Sequence, residues 1–513
     1  MAVDQFDFAS ATIQRADRPA SIPVDRETVT AFLGRTERGP ANEPVRIRSL
    51  DEYRRIFGGQ CDFSFLPHAV QHYFLNAGTQ AIVVRLVNRA ARAVLGVPAG
   101  AGFLRLEARC PGSRETLRAS IDYDRVEHDP ARFNLVVQRV SRPGATLIED
   151  QELFSAVSVS PDASRFIGDV LQQSKLVALS GPLPVQRPAA TIAKHPGQAI
   201  PYLDFSPGAD GDELSDYDVV GSDRAATGLF SLDRVERLDL ICIPPAPGRD
   251  LGSTAFLAAE RYCDRRRALL IWDPPAAWRT AEGALLGLRS AGLASPNTLA
   301  YFPRIRPRAE LARFPAGMPA SGALAGMLTA RDARAAWRAE EPLRLWPGLT
   351  VVADIEGKRA ATLHRFGVNT LSRGPGGNIR FMGDVCLERC RTVATSWQRL
   401  AARRTALFVL GSIERETRWL RGGALDAQDR RRLYAQVRVF LSELHAGGVL
   451  AGTRPEQSYF VRVIAERGNA PLTLRFGFAL LEPGRFEIYE IYYMPGGIKT
   501  RIVPPLEEAE AAP

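Results

Sequence analysis

Five segments decide the fold, and they follow one another in this order: Gly367-Val-Asn-Thr370, Asn378-Ile-Arg-Phe-Met-Gly-Asp-Val385, Asp429-Arg-Arg-Arg-Leu-Tyr-Ala-Gln-Val-Arg-Val-Phe-Leu441, Ser458-Tyr-Phe-Val-Arg-Val463 and Pro483-Gly-Arg-Phe-Glu-Ile-Tyr-Glu-Ile491. The third predicts an amphipathic helix from about Asp426 to His445, because its apolar residues recur three or four positions apart. The residues of this core stripe are Leu433, Val437, Phe440, Leu441 and Leu444. A helix followed by two strand segments predicts an α/β domain at this end of the chain.

The last of these segments predicts a strand that is apolar on both faces. Phe486, Ile488 and Tyr492 fall on one face, and Tyr489 and Ile491 fall on the other, because side chains alternate along a strand. Such a strand needs cover on both sides. Two interpretations remain open: a central strand of its own domain, or a strand exchanged between neighbouring copies.

The sequence upstream alternates between strand and helix signals. Residues 28–34 predict a strand, Ser49 with Glu52 forms the capping box of a short helix, and residues 66–76 predict a second helix. Residues 80–87 are apolar and β-branched, as in a strand buried in a parallel sheet. This order predicts the start of a doubly wound sheet.

A change of pattern marks the expected domain boundaries. Short segments with alternating polar and apolar residues predict antiparallel strands in residues 91–185, and buried strands resume after residue 218. We therefore expect a mixed α/β, multidomain chain with these parts: an extended arm at 1–26, an α/β middle domain at 27–90 and 186–360, a β-rich insertion at 91–185, a C-terminal α/β domain at 361–505, and a mobile acidic tail at 506–513.

Composition indicates a globular protein with a basic excess. The chain has 513 residues, 45% of them hydrophobic, and a formal net charge of +9. Residues 361–513 hold 22 Lys and Arg against 15 Asp and Glu, so most of the excess lies in the last third. No 18-residue apolar run occurs and the first residues are polar, so we expect no membrane span and no export signal. We expect the chain to stay in the cytoplasm of a bacterium or host during assembly.

Several segments resemble the contractile tail sheath family of phages, tailocins and extracellular contractile injection systems. The C-terminal ladder fits best. The other matching segments, in order, are Val29-Thr-Ala-Phe-Leu-Gly-Arg-Thr-Glu-Arg-Gly-Pro40, His72-Tyr-Phe-Leu-Asn-Ala-Gly-Thr-Gln-Ala-Ile-Val-Val-Arg85, Gly208-Ala-Asp-Gly211 with Thr227-Gly-Leu229, Cys263-Asp-Arg-Arg-Arg-Ala-Leu-Leu-Ile-Trp-Asp-Pro-Pro275, and Gly322-Ala-Leu-Ala-Gly326 with Asp332. The family's WGARTL pattern is replaced here by Met382-Gly-Asp-Val-Cys-Leu387.

The resemblance implies a mechanical part of a particle. It implies a subtilisin-like middle domain, an insertion on the outer surface and a C-terminal domain facing an inner tube. The expected partners are other copies of the chain in a helical polymer, the inner tube protein, and baseplate and terminal cap proteins. The assembled sheath would contract and drive the tube through a target membrane. No cofactor, no direct nucleic-acid contact and no stable membrane insertion are expected of such a subunit.

Two sets of residues are candidates for assembly contacts. The first is for strand exchange between subunits, because an extended apolar segment can add a strand to a neighbour's sheet edge; it comprises Val3, Phe6, Phe8 and Ile13 in the arm, and Phe486, Ile488, Tyr489, Ile491 and Tyr492 near the C-terminus. The second is for electrostatic attachment to an acidic tube, and comprises Arg430, Arg431, Arg432 and Arg438 on the predicted helix. A solvated arginine face without a partner is an equal alternative for the second set.

Other function classes have weaker signals. No Gly-x-Ser-x-Gly elbow or phosphate loop occurs, so no catalytic residue is predicted. Neither the pair Cys386 and Cys390 nor the pair His68 and His72 completes a metal set, so no metal site is predicted. The basic excess leaves a nucleic-acid-binding or other non-catalytic assembly protein as the alternative function.

Overall fold

A computed structural model of the chain describes residues 21–24, 27–141, 145–191, 203–311, 313–335, 345–387, 399–420, 426–464, 472–494 and 497–503. Within these ranges the chain forms an α/β body, a β-rich insertion, and a C-terminal sheet covered by helices.

The strands are β1 (Thr30–Gly34), β2 (Pro44–Ile47), β3 (Ala81–Arg85), β4 (Arg92–Ala99), β5 (Gly102–Pro111), β6 (Thr116–Asp122), β7 (Arg132–Val140), β8 (Ile148–Ser158), β9 (Val177–Leu179), β10 (Asp204–Ser206), β11 (Leu240–Cys242), β12 (Leu269–Trp272), β13 (Thr298–Phe302), β14 (Ile305–Pro307), β15 (Leu349–Val351), β16 (Val368–Arg373), β17 (Ile379–Met382), β18 (Tyr459–Ile464), β19 (Leu472–Ala479), β20 (Phe486–Met494) and β21 (Gly497–Ile502).

The α-helices are α1 (Leu50–Phe57), α2 (Leu66–Leu75), α3 (Ile167–Val170), α4 (Asp216–Val220), α5 (Ser253–Arg266), α6 (Ala281–Ala291), α7 (Ser321–Ala335), α8 (Gly357–Arg365), α9 (Leu400–Glu416), α10 (Ala427–Ala446) and α11 (Pro455–Ser458).

The body is built on a sheet that has eight strands in the described residues, in the order β17-β16-β13-β12-β11-β1-β3-β2. The strands from β16 to β3 run parallel, and β17 and β2 close the two edges antiparallel. Phe32 of β1 packs into the core cluster on one face, which includes α1, α2 and α7, whereas its neighbours Ala31 and Leu33 pack into the cluster on the other face. This cover on both faces explains why the strands are apolar throughout, and it confirms the doubly wound prediction.

Helix α7 lies unusually close to helix α2 because of two glycines. A Cβ atom on Gly322 would lie 2.0 Å from the carbonyl oxygen of Ala69, and a Cβ on Gly326 would lie 2.2 Å from that of Tyr73. Only a residue without a side chain fits at either position. The segment 322–326, which the sequence analysis matched to a family motif, therefore has a packing role in this chain.

The insertion is a pair of small sheets around one core. The sheets have the orders β10-β4-β5-β9 and β6-β7-β8, and both are antiparallel in their described pairings. Their inward residues, such as Leu106 and Leu135, form a single cluster. The β-rich character predicted for residues 91–185 agrees with this arrangement. The end at residue 185 does not, because β10 at 204–206 pairs with β4 and so belongs to the same unit.

The C-terminal unit is a four-stranded antiparallel sheet, in the order β18-β19-β20-β21, with α9 and α10 packed on one face. The predicted core stripe of α10 is buried, with Leu433, Val437, Phe440, Leu441 and Leu444 at most 1% exposed. Asp426 caps this helix, since its carboxylate accepts the N–H of Asp429 at 2.8 Å. Helix α1 begins as predicted: the N–H of Glu52 donates to Ser49 Oγ at 3.1 Å.

The predicted boundary at residue 360 needs correction. Strand β16 pairs with β13, and β17 pairs with β16, so residues 368–382 belong to the eight-stranded sheet. The C-terminal unit begins instead near Leu400, where α9 starts. The segment 367–385 does contain a pair of strands. Which sheet they join is decided by hydrogen bonds to a partner strand more than 60 residues away.

Candidate assembly surfaces

Strand β20 is a central strand of its own sheet. It pairs with β19 from Phe486 to Tyr493 and with β21 from Tyr489 to Met494. Its side chains are covered on both faces, with Tyr489 and Ile491 against the helices and Ile488 on the opposite side. Both edges of the strand that carries Phe486, Ile488, Tyr489, Ile491 and Tyr492 are thus paired within the chain, and exchange of these residues between copies stays a prediction. The outer strands of the described sheet are β18 and β21.

The N-terminal arm approaches the C-terminal unit. The candidate exchange residues Val3, Phe6, Phe8 and Ile13 lie outside the described residues. Shortly after them, Ile22 is fully buried in the core formed by α9, α10 and the C-terminal sheet, and Val24 packs against the same core. The chain therefore touches its own C-terminal unit before it enters β1 of the body.

The four candidate arginines of α10 do not share one face. Arg431 and Arg438 are seven residues apart, which places them on the same side of the helix, two turns or roughly 10 Å apart. Arg432 lies on another side, where its guanidinium stacks 4.5 Å from the ring centre of Trp419. Arg430 is half-buried in the first turn. The side that carries Arg431 and Arg438 also carries Tyr434, whose ring lies 5.8 Å from the Arg438 guanidinium.

Polar contacts join the C-terminal unit to the body. Both oxygens of Asp332 on α7 accept hydrogen bonds from Arg404 on α9, and one of them also accepts the Thr28 hydroxyl. The residue before Arg404 on α9, Arg403, donates two hydrogen bonds to Asn297 Oδ1, at 2.6 and 2.9 Å. These contacts border a small cavity of about 50 Å³ between the two units.

A second ion pair supports the same joint at the other end of α9. Arg267, which holds a left-handed conformation at the C-terminus of α5, donates to Glu414 at 2.8 Å. Thr500 of β21 donates its hydroxyl to the same carboxylate. Directional bonds to charged side chains thus help fix the orientation of the joint, and Leu400 and Leu407 of α9 add apolar packing into the core of the body.

The body has a crevice where α/β sheets commonly bind ligands. The carboxyl ends of β1 and β11 border a space of about 280 Å³, at the point where the strand order reverses. Of its four carboxylates, Asp62, Glu213 and Asp250 each pair with an arginine, and Asp216 accepts the backbone N–H groups of Gly252 and Ala255. Its described lining contains neither histidine nor cysteine. A histidine base for a serine or cysteine nucleophile is thus not among the described lining residues.

Ser321, which lies beside the buried carboxylate of Asp273, has a structural role. Asp273 Oδ1 accepts the backbone N–H groups of Ala320 and Ser321, both at 2.9 Å, and so caps the N-terminus of α7. Burial raises the pKa of Asp273 to about 6. Ser321 is fully buried, which keeps a substrate away from its hydroxyl.

The histidine and cysteine pairs that were considered as metal ligands contribute to the core where the structure describes them. His68 and His72 are 4% and 5% exposed on α2, and burial lowers the pKa of His72 to about 4. Cys386 is buried, and Cys390 lies outside the described residues. In the described part of the chain, no group of three or more His, Cys, Asp or Glu side chains is placed to hold a metal ion. No helix there is long and apolar enough to cross a membrane.

Comparison with solved structures identifies the fold. No protein-family model matches the sequence, and no curated protein matches it. The sheath tail protein of Listeria innocua superposes with a TM-score of 0.60 at 10% identity, covering 95% of this chain and 97% of that one. This chain has the tail sheath fold. Its multidomain mixed α/β architecture is therefore confirmed.

Two sheaths of contractile particles have the same fold. The sheath of the extracellular contractile injection system PVC, in its contracted state, matches with a TM-score of 0.53 at 14% identity, covering 94% of this chain and 96% of that one. The helical sheath of the anti-feeding prophage matches with a TM-score of 0.51 at 15% identity, covering 94% of this chain and 98% of that one. The sheath fold thus extends over nearly the whole chain.

Proposed function

We propose that this chain is a structural subunit of a contractile sheath. It would polymerise helically around an inner tube in a metastable extended state and contract to drive the tube through a target membrane. The observation that carries this proposal is the match of 94–95% of the chain to sheath structures. In this role the protein has no catalytic site, and its work is done by changes in packing between copies.

Attachment to the tube is assigned to the side of α10 that carries Arg431 and Arg438. Arg431 is exposed and Arg438 half-exposed, while the opposite side of the helix is anchored by a fully buried stripe. An exposed ion pair contributes up to about 1 kcal/mol and weakens with salt. Contacts of this strength, repeated over many subunits, can hold an extended polymer and still release during contraction.

Exchange between subunits is assigned to the N-terminal arm, with Val3, Phe6, Phe8 and Ile13 as its apolar residues. The burial of Ile22 supports this proposal, because it fixes the base of the arm beside a sheet whose outer strands are β18 and β21. An extended segment can add to such an edge through backbone hydrogen bonds. Each of these bonds contributes roughly 1 kcal/mol net, so several together make a durable joint.

The remaining partners follow from the same role. One similar structure is that of a baseplate of the anti-feeding prophage, at a TM-score of 0.50 and 14% identity. We infer that the polymer of this chain meets a baseplate at one end and a cap protein at the other. Assembly takes place in the cytoplasm, and the product is a virion tail or a related particle.

The tube contact can be tested by charge reversal. The double variant Arg431→Glu, Arg438→Glu should lose roughly 2 kcal/mol of tube affinity per subunit, about thirtyfold, because two attractions are removed. The matched control is Arg54→Glu, Arg55→Glu on α1, whose side chains are 54% and 72% exposed. The assay is co-sedimentation with tubes of the inner tube protein encoded beside this chain, with negative-stain images of the pellet.

The expected result is coated tubes for the wild type and the control, and bare tubes for the α10 variant. Thermal unfolding at the wild-type temperature would show that the variant is folded. Normal coating by the α10 variant would remove these arginines from the tube contact. Binding to DNA in place of tubes, with a steep loss in salt, would favour the nucleic-acid alternative.

A further inference from the structure

The insertion has an apolar core of its own, separate from the cores of the body. Within the described residues, its buried apolar side chains, from Ala93 of β4 to Val177 of β9, form one cluster without members from the eight-stranded sheet. The side chains of that sheet belong to two other clusters. Units with separate apolar cores commonly move relative to each other unless the contacts between them are extensive. The orientation of the insertion therefore depends on the contacts where the chain leaves and re-enters the body.

The chain passes between the two units through segments 88–91 and 207–212, which we call the neck. Ala91 and Ala209 form an antiparallel bridge with two backbone hydrogen bonds, at 2.9 and 3.0 Å. Further along, the N–H of Asp212 donates to the carbonyl oxygen of Asn88 at 2.8 Å. The outgoing and returning chains are thus bonded to each other at two levels.

Two glycines allow the close approach of chains at the neck. A Cβ atom on Gly208 would lie 2.4 Å from the carbonyl oxygen of Gly112, in the turn between β5 and β6. A Cβ on Gly211 would lie 2.0 Å from the carbonyl oxygen of Asn88, and the φ angle of Gly211 is +73°. A side chain at either position would push the neighbouring backbone away.

Asp210, between these glycines, binds the same turn of the insertion. Its Oδ1 accepts the N–H of Ser113 at 2.8 Å, and its Oδ2 accepts the Ser113 hydroxyl at 2.7 Å. Hydrogen bonds to a charged acceptor are roughly twice as strong as bonds between neutral groups. Each residue of Gly208-Ala-Asp-Gly211 therefore takes part in a contact at the neck.

Arg85 holds this turn from the side of the body. It is 1% exposed at the end of β3, and its Nη1 donates to the carbonyl oxygens of Gly39 and Pro111, both at 2.7 Å. Gly39 follows β1 of the body, whereas Pro111 ends β5 of the insertion. The ion pair between Arg114 and Glu37, at 2.8 Å, joins the same two units. Contacts from both sides thus converge on the turn between β5 and β6.

We infer that Gly208-Ala-Asp-Gly211 is a clamp that fixes the orientation of the insertion on the body. Its glycines bring the chains of the neck together, and Asp210 holds the turn of the insertion against them. While the clamp is closed, the insertion and the body move as one unit; once it is broken, the insertion turns about the neck. In a sheath the insertion would then follow each rotation of the body. That consequence rests on the proposed function, whereas the clamp itself does not.

A distance between the two units tests the clamp in the full-length protein. Spin labels are introduced through unnatural amino acids at Leu153 of the insertion and Leu286 of α6, which are 62% and 69% exposed. Pulsed electron paramagnetic resonance then gives the distribution of distances between the labels. We expect a narrow distribution for the otherwise unchanged chain. Asp210→Ala and Gly208→Ala should each make it roughly twice as wide, because the insertion can then turn about the neck.

Each clamp variant has a matched control. Gly102→Ala lies in the same insertion, and its Cβ would meet the carbonyl oxygen of Ala99 only at 4.0 Å. Asp223→Ala removes an exposed carboxylate of the body. Both controls should keep the narrow distribution. Hydrogen exchange in β5 and β11 at the rates of the unchanged chain shows that the cores of both units are folded in every variant.

A narrow distribution in both clamp variants would overturn the proposal, and so would a broad distribution in the unchanged chain. If the clamp variants fold poorly, hydrogen exchange in the unchanged chain decides the question. The amides of Ala91, Ala209 and Asp212 should then exchange within about tenfold of the amides of β5, because the neck opens only with the insertion. Exchange more than about a hundredfold faster would show that the neck opens by itself and would contradict the clamp.

Discussion

The joint between α9 and the body depends on a buried ion pair, and replacing Asp332 with leucine should destabilise the fold strongly. Asp332 is 2% exposed, and the Arg404 side chain is 10% exposed. In the variant the Arg404 guanidinium stays buried without its carboxylate, and the Thr28 hydroxyl loses its acceptor. Breaking a buried pair in this way costs about 3–5 kcal/mol.

Nearby charge increases the effect. Burial and then the positive charge of Arg404 lower the pKa of Arg331, the residue before Asp332. Without the carboxylate, these two guanidinium groups face each other unscreened. The double variant Asp332→Leu, Arg404→Met leaves no orphaned charge at the pair, so it should cost much less than the sum of the single variants. The coupling energy should reach about 2–3 kcal/mol.

An exposed pair supplies the control. Arg359 and Glu282 pair at 3.1 Å, with side chains 68% and 66% exposed. The corresponding Glu282→Leu change should leave the free energy of unfolding nearly unchanged, because solvent screens an exposed pair. Urea unfolding followed by circular dichroism measures all the variants, with unchanged slopes as the check on comparable unfolding. If Asp332→Leu costs no more than Glu282→Leu, the pair does not hold the joint.

Two further predictions concern the body. Gly326→Ala should destabilise the body by about 1–3 kcal/mol in urea unfolding, because the new Cβ would lie 2.2 Å from the carbonyl oxygen of Tyr73. The control is Gly59→Ala, whose Cβ would meet a side-chain oxygen only at 4.0 Å, and equal effects of the two changes would contradict the close packing of α7 on α2. The pKa of His72 is about 4 in the folded chain against 6.5 in the unfolded chain, so between these values only the unfolded chain binds a proton at His72. The contribution of neutral His72 to the free energy of unfolding is therefore present above pH 6.5 and lost as the pH falls towards 4. Relative to His72→Gln, the wild type should lose about 3 kcal/mol across that window, and parallel pH profiles would refute this.

Local patterns predicted local structure well. The capping residues Ser49 and Asp426 and the stripe of α10 lie where the sequence placed them, because contacts within one or two turns decide them. The buried strands of the body were recognisable because a strand covered on both faces is apolar at every position. The order of these elements also led to the sheath fold.

Strand pairing between distant segments could not be predicted from the sequence. Nothing local shows that β16 joins β13 or that β10 joins β4, so two domain boundaries were misplaced. A strand that is apolar on both faces looks the same whether it is central or exchanged, and its sequence does not show that β20 pairs with β19 and β21 of its own chain. The bond from Thr28 to Asp332 joins residues 304 positions apart, which no periodicity predicts.

The candidate surfaces were partly predictable. Charge counting found the arginines of α10, but the stacking of Arg432 on Trp419 is a tertiary contact that the sequence does not show. The arm residues Val3, Phe6, Phe8 and Ile13 remain a prediction from composition.

The most direct test of the sheath proposal is a cryo-electron microscopy reconstruction of this chain co-expressed with its genomic neighbours. The account predicts helical cylinders around a thinner tube, with the C-terminal unit innermost, Arg431 and Arg438 of α10 against the tube, and the insertion outermost. A monodisperse monomer under these conditions, or cylinders with α10 facing outwards, would contradict it.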